Sequence, residues 1–277
     1  MPRFSLIIPT LGRTTELAEM FASVIDQGRS DIEIIVVDQN DDDRLVPLVE
    51  AVPSDIAVVH LRVWEKNVSE ARNTGLAASS GGIVAFPDDD CWYPPHLLNR
   101  VDAWFKQNPD YSVLAVGAFD DSGVPSGNRW IQDACDISPL NALRTTFCSS
   151  LFVSALARSR GVLFDPKLNR GEETDFILRL LATGLRGRFD RGLYIHHPRR
   201  DMLSGTVSRA RARSYGAGMG RLVRRHSHAP LWLALLTYDL ARALLVSARG
   251  RFVDAGFCFA HAEGLFRGFI LPESNYE

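Results

Sequence analysis

Four short, largely apolar runs, three of them ending in polar residues, stand in the first ninety positions: FSLIIPT at 4–10, IEIIVVD at 32–38, AVVHLRV at 57–63 and IVAFPDDD at 83–90. Runs this short, bounded by turn residues, read as buried strands. Between the first two, Leu17, Met20, Phe21, Val24 and Ile25 recur at helical spacing, which predicts a helix over 14–27 with Thr14 as N-cap and Gly28 as stop. A shorter helix is expected before residue 52. Strand, helix, strand, helix, strand predicts an α/β chain with a mostly parallel sheet flanked by helices. In such sheets ligands bind beyond the carboxyl ends of the strands. Pro9, Thr10, Asp38, Asp88, Asp89 and Asp90 all fall at such ends.

Three consecutive carboxylates repel one another unless a cation or a proton intervenes. Hard divalent cations take oxygen ligands, and Mg²⁺ uses one or two carboxylates together with substrate phosphates. In extended backbone Asp88 and Asp90 point one way and Asp89 the other. Asp88 and Asp90 are therefore the expected metal ligands and Asp89 their support. A solvated acidic turn is the alternative for the three aspartates alone. The small-residue segment 67–80 offers a loop-to-helix transition, where Arg72 and Asn73 could reach a diphosphate.

Downstream, Pro94 and Pro95 open a helix expected to run to 107, and a strand is expected over 111–119. Residues 120–146, with Trp130, show no readable element. A strand is expected over 147–153 and a short helix over 155–160. A second acidic centre, GEETDFILRLL, begins at Gly171. Glu173 shares a helical face with Phe176, Ile177 and Leu180, so it is expected to point inward, where it could take a proton from a substrate hydroxyl. Glu172, Asp175 and Arg179 fall on the adjacent face, with Asp175 and Arg179 spaced to pair. His196 or His197 could add a metal ligand, or the pair could be structural.

Net charge is −2, which gives no reason to expect nucleic acid, but nine arginines fall within 191–225. That local excess favours a phosphate, a diphosphate or anionic lipid headgroups. Gly216, Gly218 and Gly220 weaken the basic helix over 207–226, predicting a bend or close packing there. Two apolar helical segments follow, 229–249 and 252–269, with Trp232, Phe252, Phe257, Phe259 and Phe266 beside arginines. They suit a membrane interface, or a hairpin packed on the core or on a second subunit. Asp239 and Arg242 argue against a spanning helix. The four cysteines have no paired spacing and the first residues no signal-peptide run, so a cytoplasmic protein is expected, peripheral on the inner membrane face if bound there.

Taken together, FSLIIPTLGR, EIIVVDQNDDD, NVSEARNTGLAASSGGIVAFPDDD and GEETDFILRLL resemble family 2 glycosyltransferases of the GT-A fold over roughly residues 3–200. The resemblance implies a Rossmann-like GT-A domain over 1–200 and a C-terminal helical appendage over 201–277. It implies a UDP-, GDP- or dTDP-linked sugar donor, with Pro9, Thr10 and Asp38 lining the nucleoside pocket and Arg72 and Asn73 near the nucleotide. The aspartates match the DxD motif that binds Mg²⁺ or Mn²⁺ and the diphosphate. Glu173 matches the catalytic base of the ED motif, with Asp175 as runner-up. His196 or His197 matches a histidine that completes the metal shell in some members. The chain departs from the family at DQND, where an Asp-Asp or Asp-Asn pair before Gly-Ser is common, and at Glu-Glu in place of Glu-Asp.

These residues imply an inverting transfer to a hydroxyl of a glycan or lipid-linked acceptor, with Arg199, Arg200 or Arg209 adding positive charge. The alternatives are a non-catalytic nucleotide-sugar-binding protein and a retaining transferase of the same fold. A nucleotidyltransferase is disfavoured because no glycine-rich phosphate loop follows the first strand. A dinucleotide dehydrogenase is excluded because no G-x-G-x-x-G follows Ile8.

Overall fold

The computed structural model describes residues 1–126, 131–168, 170–198, 209–226 and 229–271. Trp130, Arg199 and Arg200 lie outside the described residues. Its contacts divide the chain into two units, Met1–Asp165 with Glu173–Arg199, and Pro166–Glu172 with Arg200–Glu277.

The first unit runs β1 (Phe4–Thr10), α1 (Thr15–Ile25), β2 (Ile32–Asp38), α2 (Val46–Glu50), β3 (Ala57–Arg62), α3 (Val68–Ala78), β4 (Ile83–Ala85), α4 (Leu97–Gln107), β5 (Val113–Phe119), β6 (Cys135–Asp136), α5 (Ala142–Thr145), β7 (Leu151–Ser154), α6 (Ala155–Arg158), α7 (Glu172–Ala182) and β8 (Gly187–His196). The strands form one sheet in the order β3-β2-β1-β4-β7-β5-β8-β6. This is the mostly parallel, helix-flanked architecture expected from the sequence. The first four strands are parallel, β7 inserts antiparallel between β4 and β5, β8 is parallel to β5, and β6 closes the edge antiparallel. Thr10 sits opposite Asp38 in the β1–β2 register, so the two polar exits lie side by side.

β1 and β2 are buried along their whole length. Strands covered on both faces take apolar residues at most positions, which explains their apolar runs; Ser5 and Glu33 are the buried polar residues near their starts. Alternation then assigns the faces. Phe4, Leu6, Ile8, Ile34 and Val36 pack with Leu17, Met20 and Val24 of α1 and Leu98 and Val101 of α4. Ile7, Ile35 and Val37 pack on the other side with Ala71 and Leu76 of α3 and Phe176 and Ile177 of α7.

Three local expectations change. Thr14 stands at the N-cap of α1 but makes no capping hydrogen bond, because its φ/ψ of −129°/−47° is not the extended cap conformation. Asn67, in extended backbone, caps α3 by accepting from Ser69 N (2.9 Å) and Glu70 N (3.3 Å). The strand expected over 147–153 begins only at Leu151, since Cys148–Ser150 form a 3₁₀ turn. Within the stretch that showed no readable element, β6 and α5 are present.

At the opposite end of the sheet from the polar exits, Glu33 is only 7% exposed. It accepts hydrogen bonds from Ser5 Oγ, Ser80 N (2.6 Å), Ser80 Oγ and Gly81 N (3.1 Å). Burial alone would raise its pKa; the hydrogen bonds from Ser5, Ser80 and Gly81 outweigh burial and lower it. A depressed folded-state pKa contributes stability above the unfolded value, and that contribution is lost as pH falls through the folded one. Glu33→Gln is therefore expected to cost about 1.5–3 kcal/mol at neutral pH, because an amide cannot accept all these donors. It should also flatten the loss of stability on acidification below the usual glutamate range. Thermal melts of both proteins across pH check this; parallel curves would remove the carboxylate from the account.

The second unit contains α8 (Arg209–Arg225), α9 (Ala229–Ala248) and α10 (Phe252–Ile270). α8 runs unbroken through its three glycines, so close packing, not a bend, is their role. A Cβ on Gly216 or Gly220 would lie 2.0 Å or 2.3 Å from carbonyl oxygens of α10, and one on Gly264 would lie 2.0 Å from the Arg213 carbonyl oxygen. The loop Pro166–Glu172 joins this unit, with Arg221 donating to the Lys167 carbonyl at 3.1 Å.

Candidate active site

β4 ends at Ala85, and Phe86 and Pro87 carry the chain to the three aspartates beside the exit of β1. The Asp88 carboxylate receives Arg72 Nη2 at 3.2 Å and Ser149 Oγ at 3.0 Å. Arg72 is 3% exposed and stands one turn into α3, while Ser149 is carried in by the 3₁₀ turn that replaces the start of the expected strand. His197 Nε2 lies 3.5 Å from Asp88 Oδ2 and 3.6 Å from Asp90 Oδ1. Burial would raise the Asp88 pKa, but the His197 contact and the Arg72 charge outweigh it and hold the carboxyl well below the ordinary carboxylate range. Asp89 is shifted the other way, upward, by burial.

Ligand atoms of Asp88, Asp90 and His197 all lie within 4.8 Å of one another. The tautomer of His197 suits a metal. Its Nδ1 lies 2.8 Å from the Pro198 carbonyl oxygen, which can only accept, so Nδ1 carries a proton. In the neutral imidazole Nε2 then presents a lone pair to two carboxylate oxygens beyond hydrogen-bond reach. Three lone-pair donors converging this way need a cation, or a proton on Nε2, between them. An O, O, N donor set with the outer imidazole nitrogen held by a carbonyl fits a divalent metal.

His196 does not join this cluster. Its ring stacks on Trp92 with centroids 5.3 Å apart, and the two residues form an antiparallel bridge. Successive residues of an extended strand face opposite ways, so only one member of the pair can reach the aspartates. His197 is held there edge-on by Phe147, 4.9 Å between centroids.

The sequence reading missed Arg13. Its guanidinium spans Asp89 Oδ1 and Asp90 Oδ2, the latter at 3.0 Å. Arg13 supplies the countercharge for the middle aspartate. The one sequence signal was a cation three residues beyond β1. Ser149 had no signal at all, coming from 61 positions away.

On the β2 side, Asp38 is fully buried. Its Oδ1 accepts from Asn40 N and Nδ2, both at 2.8 Å, and its Oδ2 lies 2.9 Å from His60 Nε2. Asn40 in turn accepts from Gly12 N at 2.7 Å, lacing the two strand exits together. Pro9 is buried within β1. The Thr10 hydroxyl lies toward Asp89 but closes no hydrogen bond of regular geometry. Asn73 is a correction to the expected diphosphate contact. Its Nδ2 donates to the Phe164 carbonyl at 2.9 Å and its Oδ1 accepts from Phe164 N at 2.8 Å, so the amide is spent pinning that segment to α3.

In α7 the expected pair of Asp175 with Arg179 forms, but Glu173 is less buried than its helical face predicted. Asp175 has no exposed surface and is held by Arg179 at 2.7 Å, whereas Glu173 is half-buried. The helix is covered on more than one face, Thr174 through Leu178 all being buried, so the adjacent face is not a solvent face.

The family model described as glycosyl transferase family 2 matches residues 5–152. An uncharacterized glycosyltransferase of Haemophilus influenzae is 30% identical over 183 residues, covering 64% of this chain and 61% of the relative. This chain thus spans less than two thirds of that relative's length. The succinoglycan biosynthesis protein ExoM of Rhizobium meliloti is 30% identical over 234 residues, covering 78% and 74% of the two chains. Among solved structures, the mannosyltransferase PcManGT of Pyrobaculum calidifontis, in complex with GDP-Man and Mn²⁺, superposes with a TM-score of 0.66 at 16% identity, covering 97% of this chain and 87% of that one. At that identity the likeness is one of fold.

Proposed function

The chain belongs to glycosyl transferase family 2, and on that premise we propose that it moves a sugar, with inversion, from a nucleotide-diphosphate sugar to a hydroxyl of a glycan or lipid-linked acceptor in cell-envelope or polysaccharide biosynthesis. The observation that carries this reading is the convergence of Asp88, Asp90 and His197 at the carboxyl edge of the sheet. A divalent cation held by these three would neutralise charge developing on the leaving diphosphate. Pro9, Thr10 and Asp38 form the nucleoside end of the site, next along the edge from the aspartates. Arg72 and Arg13 keep the acidic cluster ordered and add positive charge where the diphosphate sits.

Glu173 is the proposed base. It takes the proton of the acceptor hydroxyl as that oxygen bonds to the anomeric carbon; the bond to the diphosphate oxygen breaks, and its electron pair leaves with the nucleotide. Asp175 is unsuited to this task, being fully buried and paired with Arg179. The use of a polysaccharide acceptor draws support from ExoM, a succinoglycan biosynthesis protein.

A thermal-shift screen of UDP, GDP, dTDP and their common sugars, with and without Mn²⁺, tests the donor. Ligand at about a hundred times its Kd stabilises by about 2.7 kcal/mol. One nucleotide is expected to raise the melting temperature in a metal-dependent way. With that donor, Glu173→Gln should lower transfer by about 10²–10⁴ while the donor's thermal shift persists. Retention of the donor's anomeric configuration in the product would overturn the single displacement.

A further inference from the structure

In a water-soluble helix the charged residues face solvent and the apolar ones face the protein. α9 reverses this. Its Pro230–Ala248 stretch is apolar enough to cross a membrane, yet only 17% of that stretch is buried. Leu233, Tyr238, Leu240, Leu244 and Leu245 are each at least 40% exposed. Asp239 instead faces inward, 8% exposed, with its carboxylate 2.6 Å from His261 of α10. The apolar surface continues past the α9–α10 turn through Phe252 at 71% and Val253 at 68% exposure. Beside that rim, α8, the end of α9 and α10 border an open cavity of about 400 Å³ lined by Arg209, Arg213, Phe252, Phe259 and Glu263. Glu263 is shared by Arg213 (2.8 Å) and Arg267 (2.7 Å). Arg209 has no carboxylate partner among the described residues.

We propose that the outer face of α9 and the α9–α10 turn lie in the interface of an anionic lipid bilayer, and that the Arg209–Arg213 cavity receives a lipid phosphate headgroup. A phosphate ester on a long apolar chain is the chemistry that matches both features, two guanidiniums in a cavity whose mouth is phenylalanine. The charge pattern selects this occupant over a second copy of the chain. Residues 200–277 hold eleven Lys and Arg against six Asp and Glu, a net of +5 in a chain whose total is −2. Arg249 and Arg251 are exposed in the α9–α10 turn; two copies meeting there would oppose them, whereas anionic headgroups attract them. The helix lies on the bilayer and does not cross it, because Asp239 and Arg242 sit mid-helix and Asp239 is committed to His261.

Flotation of the full chain with vesicles tests this without reading any transfer, so its failure leaves the proposed reaction standing. The protein is expected to float with phosphatidylcholine vesicles containing phosphatidylglycerol at low salt, and weakly with phosphatidylcholine alone. Arg209→Ala should weaken binding to the anionic vesicles about fivefold, the value of one surface cation. The double substitution Leu244→Glu with Leu245→Glu should abolish flotation with an unchanged thermal melt, since both side chains already face out. Three results overturn the proposal. One is no flotation of folded protein with anionic vesicles. Another is a light-scattering mass of twice the chain that the double substitution halves, which would put a second copy on this face. The third is binding of inorganic phosphate, lost in Arg209→Ala, in protein that never floats, which would make the cavity a site for soluble phosphate.

Discussion

Asp90→Ala is expected to lower transfer at least about a thousandfold, because the proposed cation loses one of three protein ligands and with it several kcal/mol of charge stabilisation in the transition state. The fold should survive. Asp90 lies beyond the end of β4, Arg13 keeps its contact with Asp89, and one of three adjacent negative charges is gone. Without metal the melting temperature should therefore move by no more than a few degrees, about 1 kcal/mol for a chain of this size. The rise that Mn²⁺ induces in the wild type should disappear. The histidines provide the internal control. His197→Ala should weaken Mn²⁺ binding at least about tenfold, whereas His196→Ala, which alters only the stack on Trp92, should leave it unchanged. Calorimetric titration of Mn²⁺ into the four proteins reads this directly. Equal affinities across the set would dissolve the metal centre.

Gly264→Ala carries the largest expected loss of stability, more than about 3 kcal/mol. The added Cβ would sit 2.0 Å from the Arg213 carbonyl oxygen and 2.9 Å from Ala217 N, both backbone atoms of α8 that no rotamer change can move. Gly268 meets the Ala217 carbonyl oxygen in the same way at 2.1 Å, so the two helices cannot shift along one another to relieve the contact. Chemical denaturation should show the loss. Gly250→Ala, where nothing lies within 4 Å, serves as the comparison and should cost less, through its φ of +73° alone. An unchanged midpoint for Gly264→Ala would mean that α8 and α10 do not pack backbone to backbone.

The strands, most of the helices and the acidic edge were legible because each is encoded within a few neighbouring residues. A short, largely apolar run such as IEIIVV, bounded by turn residues, reads as a strand covered on both faces, and an aspartate triplet after a run of this kind lies at its end. What the residues do to one another across the chain was not legible in this way. Which of two adjacent histidines reaches the aspartates depends on the bridge between Trp92 and His196, which sets the facing of the strand by a single residue. Arg13 and Ser149 meet the aspartates from 76 and 61 positions away, a separation over which local pattern carries no information and strand order carries all of it. The helical stripe of α7 placed Glu173 inward and Asp175 on the adjacent face, but a helix covered on several faces buries Asp175 the more deeply of the two. The same holds for α9, whose composition announced an apolar helix while only its packing on α10 decided that the apolar side faces out. Local sequence determined the elements and the chemistry each one offers; tertiary structure decided which of those groups converge, because convergence depends on strand order and helix packing, which no short window of sequence contains.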